Sequence, residues 1–453
     1  MATMNDNHPQ EKPGTPVQTV EVRIEKLLNQ GDGLGRHDGQ AVFVPLTAPG
    51  DLVRARIIKQ GRGFVQTALE EVLEPGPGRR EAPCPHYGDC GGCNLQHLAM
   101  DHQRQAKADI VRDCFQRLGK LDVSDLLQGP YPVDDAPDPA EGLGYRNRIR
   151  VFRDPVGHYG LMRKGTHDVV ALEQCLLMPA FFNTELLTWL RMQPPVEQVV
   201  LRLDGRGGWL ASLFGPPQRL RVLKKIMAGL SADQTPGPGC QGLLFNNRPI
   251  WGRDHLVLEV AGHKFRVGAQ SFFQGNLAVT ERAVSAVRKW IAELKAAGTL
   301  GPLMGDLFCG VGLFTLTLGE NFQRVVAIDS DPYGCRDAEN NIRRDAAVRD
   351  RARVHKGRLD QMAARLRSED GAAWRDSFCI LDPPRAGLGK GGLGVLTDLA
   401  PRHLAYMSCD PATLARDVAA LQEAGYRILR LEVLDMFPQT AHIESLIFLE
   451  RQD

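Results

Sequence analysis

From residue 17 to residue 74 apolar and polar positions alternate with a period of two, opening on Val20, Val22 and Ile24. That period marks half-buried strands. The Gly31-Asp32-Gly33-Leu34-Gly35 turn follows, then Ala41-Val42-Phe43-Val44. Two further runs, Leu52–Lys59 and Phe64–Val72, meet at Gly61-Arg62-Gly63. Four or five short strands in so short a segment predict a small closed barrel, because closure removes exposed sheet edges. Arg54, Arg56, Lys59 and Arg62 gather along one strand and its turn, either as a solvated face or as a nucleic-acid contact.

After Pro75-Gly76-Pro77-Gly78 the period changes. Ile110, Val111, Phe115 and Leu118 recur at helical spacing and predict a helix from about Asp101 to Leu118. The prolines 130, 132, 137 and 139 mark a loop. Residues 144–258 read mostly as strands and turns, with helices near 179–192 and 217–230. From about Gly268 onward helices and apolar strands alternate, the rhythm of an α/β domain with a mostly parallel sheet. The chain thus divides into a disordered tail (1–16), a barrel (17–76) and a central mostly β domain (77–100 and 142–260). A helical segment (101–128) is expected to pack on the last domain, a linker spans 129–141, and the α/β domain covers 261–453.

A length of 453 residues agrees with several domains. With 55 basic and 54 acidic residues the net charge is +1, which excludes a uniformly basic nucleic-acid wrapper but permits a local basic groove. Ten cysteines are too few for a disulfide scaffold, so metal or catalytic roles come first. No apolar run is long enough for a transmembrane helix, and the polar opening lacks a secretory signal. A cytoplasmic monomer with no membrane partner is the expectation.

Gly305-Asp306-Leu307-Phe308-Cys309-Gly310-Val311-Gly312-Leu313-Phe314 reads as a strand end, a glycine turn and a helix start. Such a turn lets a ligand approach the backbone and the N–H groups of the helix. The next strand ends in Asp329, an acidic side chain suited to a ribose with two free hydroxyls. The third glycine of a dinucleotide fingerprint is absent, which favours S-adenosylmethionine over NAD. Further on, Phe378-Cys379-Ile380-Leu381 runs into Asp382-Pro383-Pro384-Arg385, placing a second carboxylate at a strand's carboxyl end.

Cys409 follows another apolar strand and precedes a helical run, a setting in which the helix dipole favours a thiolate. A thiolate serves methyl transfer when the acceptor is a weakly nucleophilic carbon such as uracil C5. Addition to C6 activates C5, and a base then removes the C5 proton. His442 and Glu444 alternate on one expected strand face, and Glu444 is the candidate base, although an isolated glutamate is more often solvated. Separately, Cys84, Cys90 and Cys93 stand in a C-x5-C-x2-C pattern, with Cys175 as a distant fourth ligand and His86 and His97 as rivals. Four cysteines suit zinc or an iron–sulfur cluster. Arg146, Arg148 and Arg150 alternate down one strand face, as a phosphate-contacting surface could.

Phe272-Phe273-Gln274-Gly275-Asn276, Asp306-Leu307-Phe308-Cys309-Gly310, Leu381-Asp382-Pro383-Pro384-Arg385-Ala386-Gly387, Ser408-Cys409-Asp410-Pro411 and Asp435-Met436-Phe437-Pro438-Gln439-Thr440-Ala441-His442-Ile443-Glu444 occur in this order. Together they resemble the RNA 5-methyluridine methyltransferase family. The resemblance implies Cys409 as nucleophile and Glu444 as general base. It also implies an S-adenosylmethionine site lined by Gln274, Phe308, Gly310, Leu313, Asp329 and Asp382, in a Rossmann-like class I methyltransferase domain. The cysteine arrangement resembles the branch that carries a [4Fe–4S] cluster on Cys84, Cys90, Cys93 and Cys175, and the barrel resembles the OB-like, RNA-binding TRAM domain. That layout implies a ribosomal RNA substrate, 23S RNA first, with transfer RNA as the alternative. Two positions depart from the family pattern: Leu313 replaces a frequent Asn, and Asp410 a frequent Asn beside the nucleophile. An amino-group methyltransferase would leave Cys409 and Glu444 without work. A non-catalytic iron–sulfur RNA-binding protein would need only the N-terminal half.

Overall fold

The period-two segment becomes β1 (Thr19–Leu27), with Val20, Val22 and Ile24 buried between exposed neighbours. With β2 (Gly33–His37), β3 (Gln40–Val44), β4 (Leu52–Gly61) and β5 (Phe64–Glu74) it closes a barrel in the order β1-β2-β3-β5-β4. The computed structural model describes residues 18–131, 141–192, 195–229 and 235–452. The expected tail and residues 132–140 of the expected linker lie outside them. Asp51 is wholly buried and accepts from the backbone N–H groups of Ala48 and Gly76 at 2.7 Å and from Arg79 at 3.0 Å. A buried carboxylate so satisfied pins the barrel's exit. Arg54 is paired with Glu21 and Glu71, and Arg56 with Glu70. These two arginines therefore belong to a solvated, ion-paired strand face.

Residues from Glu81 onward form a second compact unit. Its first long element, α1 (Met100–Cys114), continues through a π-helical turn to Gly119, close to the expected span. The buried face of α1 includes Gln103, Lys107, Ile110, Val111 and Cys114, so two polar side chains occupy core positions. The short β6 (Leu127–Gln128) follows.

A seven-stranded sheet then forms from β7 (Arg148–Arg153), β8 (Tyr159–Met162), β9 (Val169–Ala171), β10 (Gln198–Leu203), β11 (Trp209–Phe214), β12 (Cys240–Phe245) and β13 (Arg248–Gly252), ordered β13-β12-β11-β10-β7-β8-β9. α2 (Leu187–Met192) and α3 (Arg219–Ala228) share one core with Ile149, Val151, Leu201 and Leu213 from one sheet face. The next hairpin, β14 (His255–Val260) and β15 (His263–Gly268), sends Leu256, Leu258, Val260, Phe265 and Val267 into a different core. That core includes Leu210 and Leu244 from the opposite sheet face.

It belongs to the α/β portion, built in chain order from α4 (Leu277–Ala296), β16 (Leu303–Leu307), α5 (Leu313–Leu318), β17 (Arg324–Asp329), α6 (Pro332–Arg344), β18 (Ala352–Lys356), α7 (Leu359–Asp370), β19 (Phe378–Leu381), α8 (Gly389–Leu399), β20 (His403–Ser408), α9 (Pro411–Glu423), β21 (Tyr426–Leu434) and β22 (Glu444–Arg451). The sheet order is β18-β17-β16-β19-β20-β22-β21-β6. Neighbours from β18 to β20 are parallel, while β22 runs antiparallel between β20 and β21. Strands such as Phe378–Leu381 are buried on both faces, which is why they read as unbroken apolar runs. α1 packs against α9 and β21, and β6 pairs with β21 at the sheet edge. Open sheets of this kind bind ligands beyond the carboxyl ends of their strands.

Candidate active site

Three adjacent strands deliver carboxylates to that edge: Asp306 in β16, Asp329 at the end of β17 and Asp382 just after β19. Phe308 leaves β16 at φ 75°, a conformation that costs a non-glycine residue about 1–3 kcal/mol and is kept where surroundings enforce it. Here the N–H groups of Phe308 and Cys309 both donate to the Ile328 carbonyl. The Gly310 N–H donates to Asp329 Oδ2 at 2.8 Å, and Asp331 N–H to Oδ1 at 2.7 Å. Each oxygen can still accept a further bond. Gly312, at φ 89°, caps α5, and Leu313 turns into the α/β core.

Gln274 Nε2 donates to Asp382 Oδ2 at 3.0 Å, which joins two of the residues expected to line one site. Burial pushes Asp382 up to about 7; the Gln274 bond opposes the rise, and Asp306 and Asp329 add to it. Asp306, which sequence reading left without a role, is likewise pushed up to about 7 by burial, although Thr315 donates to it through both N–H and Oγ1. Three clustered acids suit a ligand bearing positive charge, such as a sulfonium with an ammonium, and oppose a pyrophosphate.

Ser408 of β20 pairs with Ser445 of β22. Continuing that antiparallel register by one residue sets Cys409 opposite Glu444. Glu444 is 3% exposed, so the solvated reading of this residue fails. Burial holds its carboxyl well above the usual range; Asp382 adds to this, and Arg385 opposes it. The expectation that His442 and Glu444 share a strand face also fails, since β22 begins at Glu444 and His442 lies exposed before it. His442 Nδ1 instead stands 3.1 Å from Arg385 Nη2.

Burial pushes the Cys409 thiol up to about 11; Glu444 adds to this, Arg385 opposes it and Asp382 adds again. Burial and Glu444 thus act against the thiolate that the helix N-terminus favours. Asp410 is turned into the helix, its Oδ1 accepting from Thr413 N–H at 2.9 Å as the cap of α9. Arg385 is the residue whose part sequence reading missed, although the Asp-Pro-Pro-Arg motif carried it in plain sight.

Cys84, Cys90, Cys93 and Cys175 line one pocket together with Arg146, Leu161, Leu172 and Leu177. Arg146 thus faces the cysteines and does not continue the basic row of Arg148 and Arg150. His86 Nε2 accepts from Glu173 N–H at 3.1 Å, and His97 Nδ1 lies 2.5 Å from the Tyr87 hydroxyl. Among the described residues no three His, Cys, Asp or Glu side chains converge on a single-ion position.

The stretch after Cys93 also grips the segment that leads into Glu444. Asn94 and Leu95 donate backbone N–H groups to the Gln439 carbonyl at 3.3 and 3.1 Å, and Asn94 Oδ1 accepts from Ala441 N–H at 2.8 Å. Gln103 Oε1 accepts from Gln439 N–H at 3.0 Å, while its Nε2 donates to Gln439 Oε1 at 2.9 Å and to the Leu95 and Leu98 carbonyls. Gln439 itself sits at φ 67°.

Residues 252–452 match the tRNA (Uracil-5-)-methyltransferase family, and residues 13–66 match the TRAM domain. An uncharacterized RNA methyltransferase of Aquifex aeolicus is 31% identical over 96% of this chain and 99% of its own. A 23S rRNA (uracil(1939)-C(5))-methyltransferase of Aeromonas salmonicida is 30% identical over 97% of this chain and 98% of its own. Among solved structures, the tRNA (uracil-54, C5)-methyltransferase of Pyrococcus abyssi, in complex with S-adenosyl-L-homocysteine, superposes with a TM-score of 0.69. It is 21% identical and covers 95% of this chain and 100% of its own.

Proposed function

The chain belongs to the RNA (uracil-5-)-methyltransferase family, and from that premise we propose that it methylates C5 of a uridine in 23S ribosomal RNA, with Cys409 as nucleophile and Glu444 as base. The register that sets Cys409 opposite Glu444 carries this reading, because the chemistry needs one group at C6 and another near C5. S-adenosylmethionine, when bound, supplies a methyl group on a sulfonium. Gln274, Phe308, Gly310, Asp329 and Asp382 would hold it, while Leu313 packs in the core.

The Cys409 thiol gives up its proton to solvent, and the thiolate sulfur then bonds to C6 and shifts the C5=C6 electron pair into an enolate, so that C5 becomes nucleophilic. Once C5 carries the methyl group, Glu444 in its carboxylate form takes the C5 proton and becomes the carboxylic acid. The C5=C6 bond re-forms as the C6–S bond breaks, and the thiolate is regenerated. Arg385 favours the ionised form of both groups against burial. The target base must leave its stack to reach them.

For the second pocket we propose a [4Fe–4S] cluster on Cys84, Cys90, Cys93 and Cys175. Four thiols lining one pocket with Arg146 beside them support this reading, because a [4Fe–4S] cluster is held by four cysteine thiolates. It would tie the 84–93 segment to Cys175. Iron and sulfide assays check this, and Cys175→Ser should lose both. The cytoplasm, where ribosomal RNA is made and thiols stay reduced, is the proposed location.

The function is tested by mapping 5-methyluridine in ribosomal and transfer RNA from cells with and without the gene. Loss at a 23S site is expected. Loss confined to transfer RNA would move the substrate, and loss nowhere would overturn the reading. Cys409→Ala should bind S-adenosylmethionine yet form no covalent RNA adduct.

A further inference from the structure

One face of the seven-stranded sheet carries three arginines that no acid pairs among the described residues. Side chains alternate between its faces. Ile149, Val151, Val199, Leu201 and Leu203 enter the core shared with α2 and α3, so Arg148, Arg150 and Arg202 stand on the other face. Arg148 and Arg202 are direct cross-strand partners on β7 and β10, a position where like charges repel. Among the described residues none of the three forms an ion pair. Arg148 and Arg150 are exposed, but Arg202 is 2% exposed. Its Nη2 donates to the Ser271 carbonyl at 2.5 Å, while Nε and Nη1 have no partner. Burial and then Arg148 push its guanidinium down to about 9, far from the ordinary range of a group that is effectively always charged. Ser271 leads through Phe272 and Phe273 to Gln274, which holds Asp382, so the arginine face adjoins the cleft.

We propose that Arg148, Arg150 and Arg202 form a phosphodiester-binding site for the RNA strand that carries the target uridine. The planar guanidinium fork matches phosphate oxygens, and a phosphate on Arg148 and Arg150 supplies the missing counter-charge. Arg202, lying beneath them, adds attraction that solvent screens little. Keeping a buried cation without a counter-ion burdens the fold, and an anion from outside would supply one. This inference rests on the assignment of the chain as an RNA methyltransferase.

The test uses the full chain and a transcript of the 23S segment in which 5-methyluridine is mapped. Affinity is measured against salt for the wild type, Arg148→Gln, Arg150→Gln and Arg202→Met. Losing one phosphate contact to a single strand should reduce the slope of log affinity against log salt by about 0.7. Losing one charged hydrogen bond should weaken binding roughly ten-fold. Both effects are expected for Arg148→Gln and Arg150→Gln. Arg202→Met should weaken binding without lowering the melting temperature, since it removes an unpaired buried charge. Unchanged affinity and slope in the two exposed variants would overturn the site. An Arg202→Met protein that melts early would reduce Arg202 to packing and remove it from the site. A wild type that binds but does not methylate the transcript would overturn the functional assignment instead.

Discussion

Lys107 is wholly buried, and its ammonium donates to the Asp435 carboxylate at 2.6 Å across 328 residues of chain. A second bond, to the Phe437 carbonyl at 3.1 Å, fixes α1 to the segment that carries Glu444. Removing one partner of such a pair leaves a buried charge, so Lys107→Met should cost about 3 kcal/mol in urea unfolding. The double variant Lys107→Met/Asp435→Leu should recover most of that loss, because two apolar side chains can replace a buried pair.

Gln103 bears on the chemistry as well as on the fold. It holds Gln439 in its left-handed conformation, five residues before Glu444. Glu444→Gln should accumulate a covalent RNA adduct, visible as retarded RNA on a denaturing gel, because in the proposed mechanism methyl transfer precedes proton removal. Gln103→Ala should accumulate the same adduct to a lesser extent, with unchanged affinity for S-adenosylmethionine. A Gln103→Ala enzyme that is slow yet shows no adduct would confine Gln103 to stability.

Cofactor binding should depend on pH through Asp382. Its carboxyl lies at about 7 in the folded protein against an ordinary 3.8, so it is protonated over much of that interval. The free protein therefore loses stability as pH rises from about 4 to about 7, while a cationic ligand favours the ionised form. Calorimetry should find S-adenosylmethionine affinity rising as pH passes through about 7. Asp382→Asn should flatten the rise and weaken binding at pH 8 most.

Arg385 lowers the Cys409 thiol, so its removal should drive the thiol further above about 11. Each unit reduces the thiolate fraction at neutral pH ten-fold. Single-turnover adduct formation by Arg385→Gln should accordingly be slower at pH 7 and should recover towards higher pH. His442→Ala, which frees the Arg385 side chain, should fall between the two.

Where one short-range rule governed, the sequence told the structure in advance. The alternation of Val20, Val22 and Ile24 became β1 of a closed barrel, and apolar runs such as Phe378–Leu381 became central parallel strands. The motif residues Gln274, Asp382, Cys409 and Glu444 share one strand edge because glycine turns and strand ends are local features. Long-range pairing stayed hidden. Arg54 and Arg56 looked like open cations until Glu21, Glu71 and Glu70 were folded against them. Arg146 looked like one of a basic row, yet it lines the cysteine pocket. A helix-dipole argument favoured a Cys409 thiolate, and the fold adds burial and Glu444, which both act against it. One long-range contact did leave a trace: Gln103 and Lys107 lie four residues apart on the face that also carries Ile110, Val111 and Cys114. Polar side chains at core positions of an amphipathic helix announce partners elsewhere in the chain.

The placement of β22 between β20 and β21 has a consequence for synthesis. A nascent chain that has emerged only as far as β21 already contains Cys409, the aspartate cluster and all four pocket cysteines. Yet β20 then presents a bare edge, and neither β21 nor β6 has its place in the sheet. Until β22 arrives, Cys409 lacks the strand end that carries Glu444, and α1 lacks the completed surface on which it docks. Contacts of such long sequence separation form late. The strand edge that sets Cys409 opposite Glu444 is thus complete only once β22 has joined the sheet.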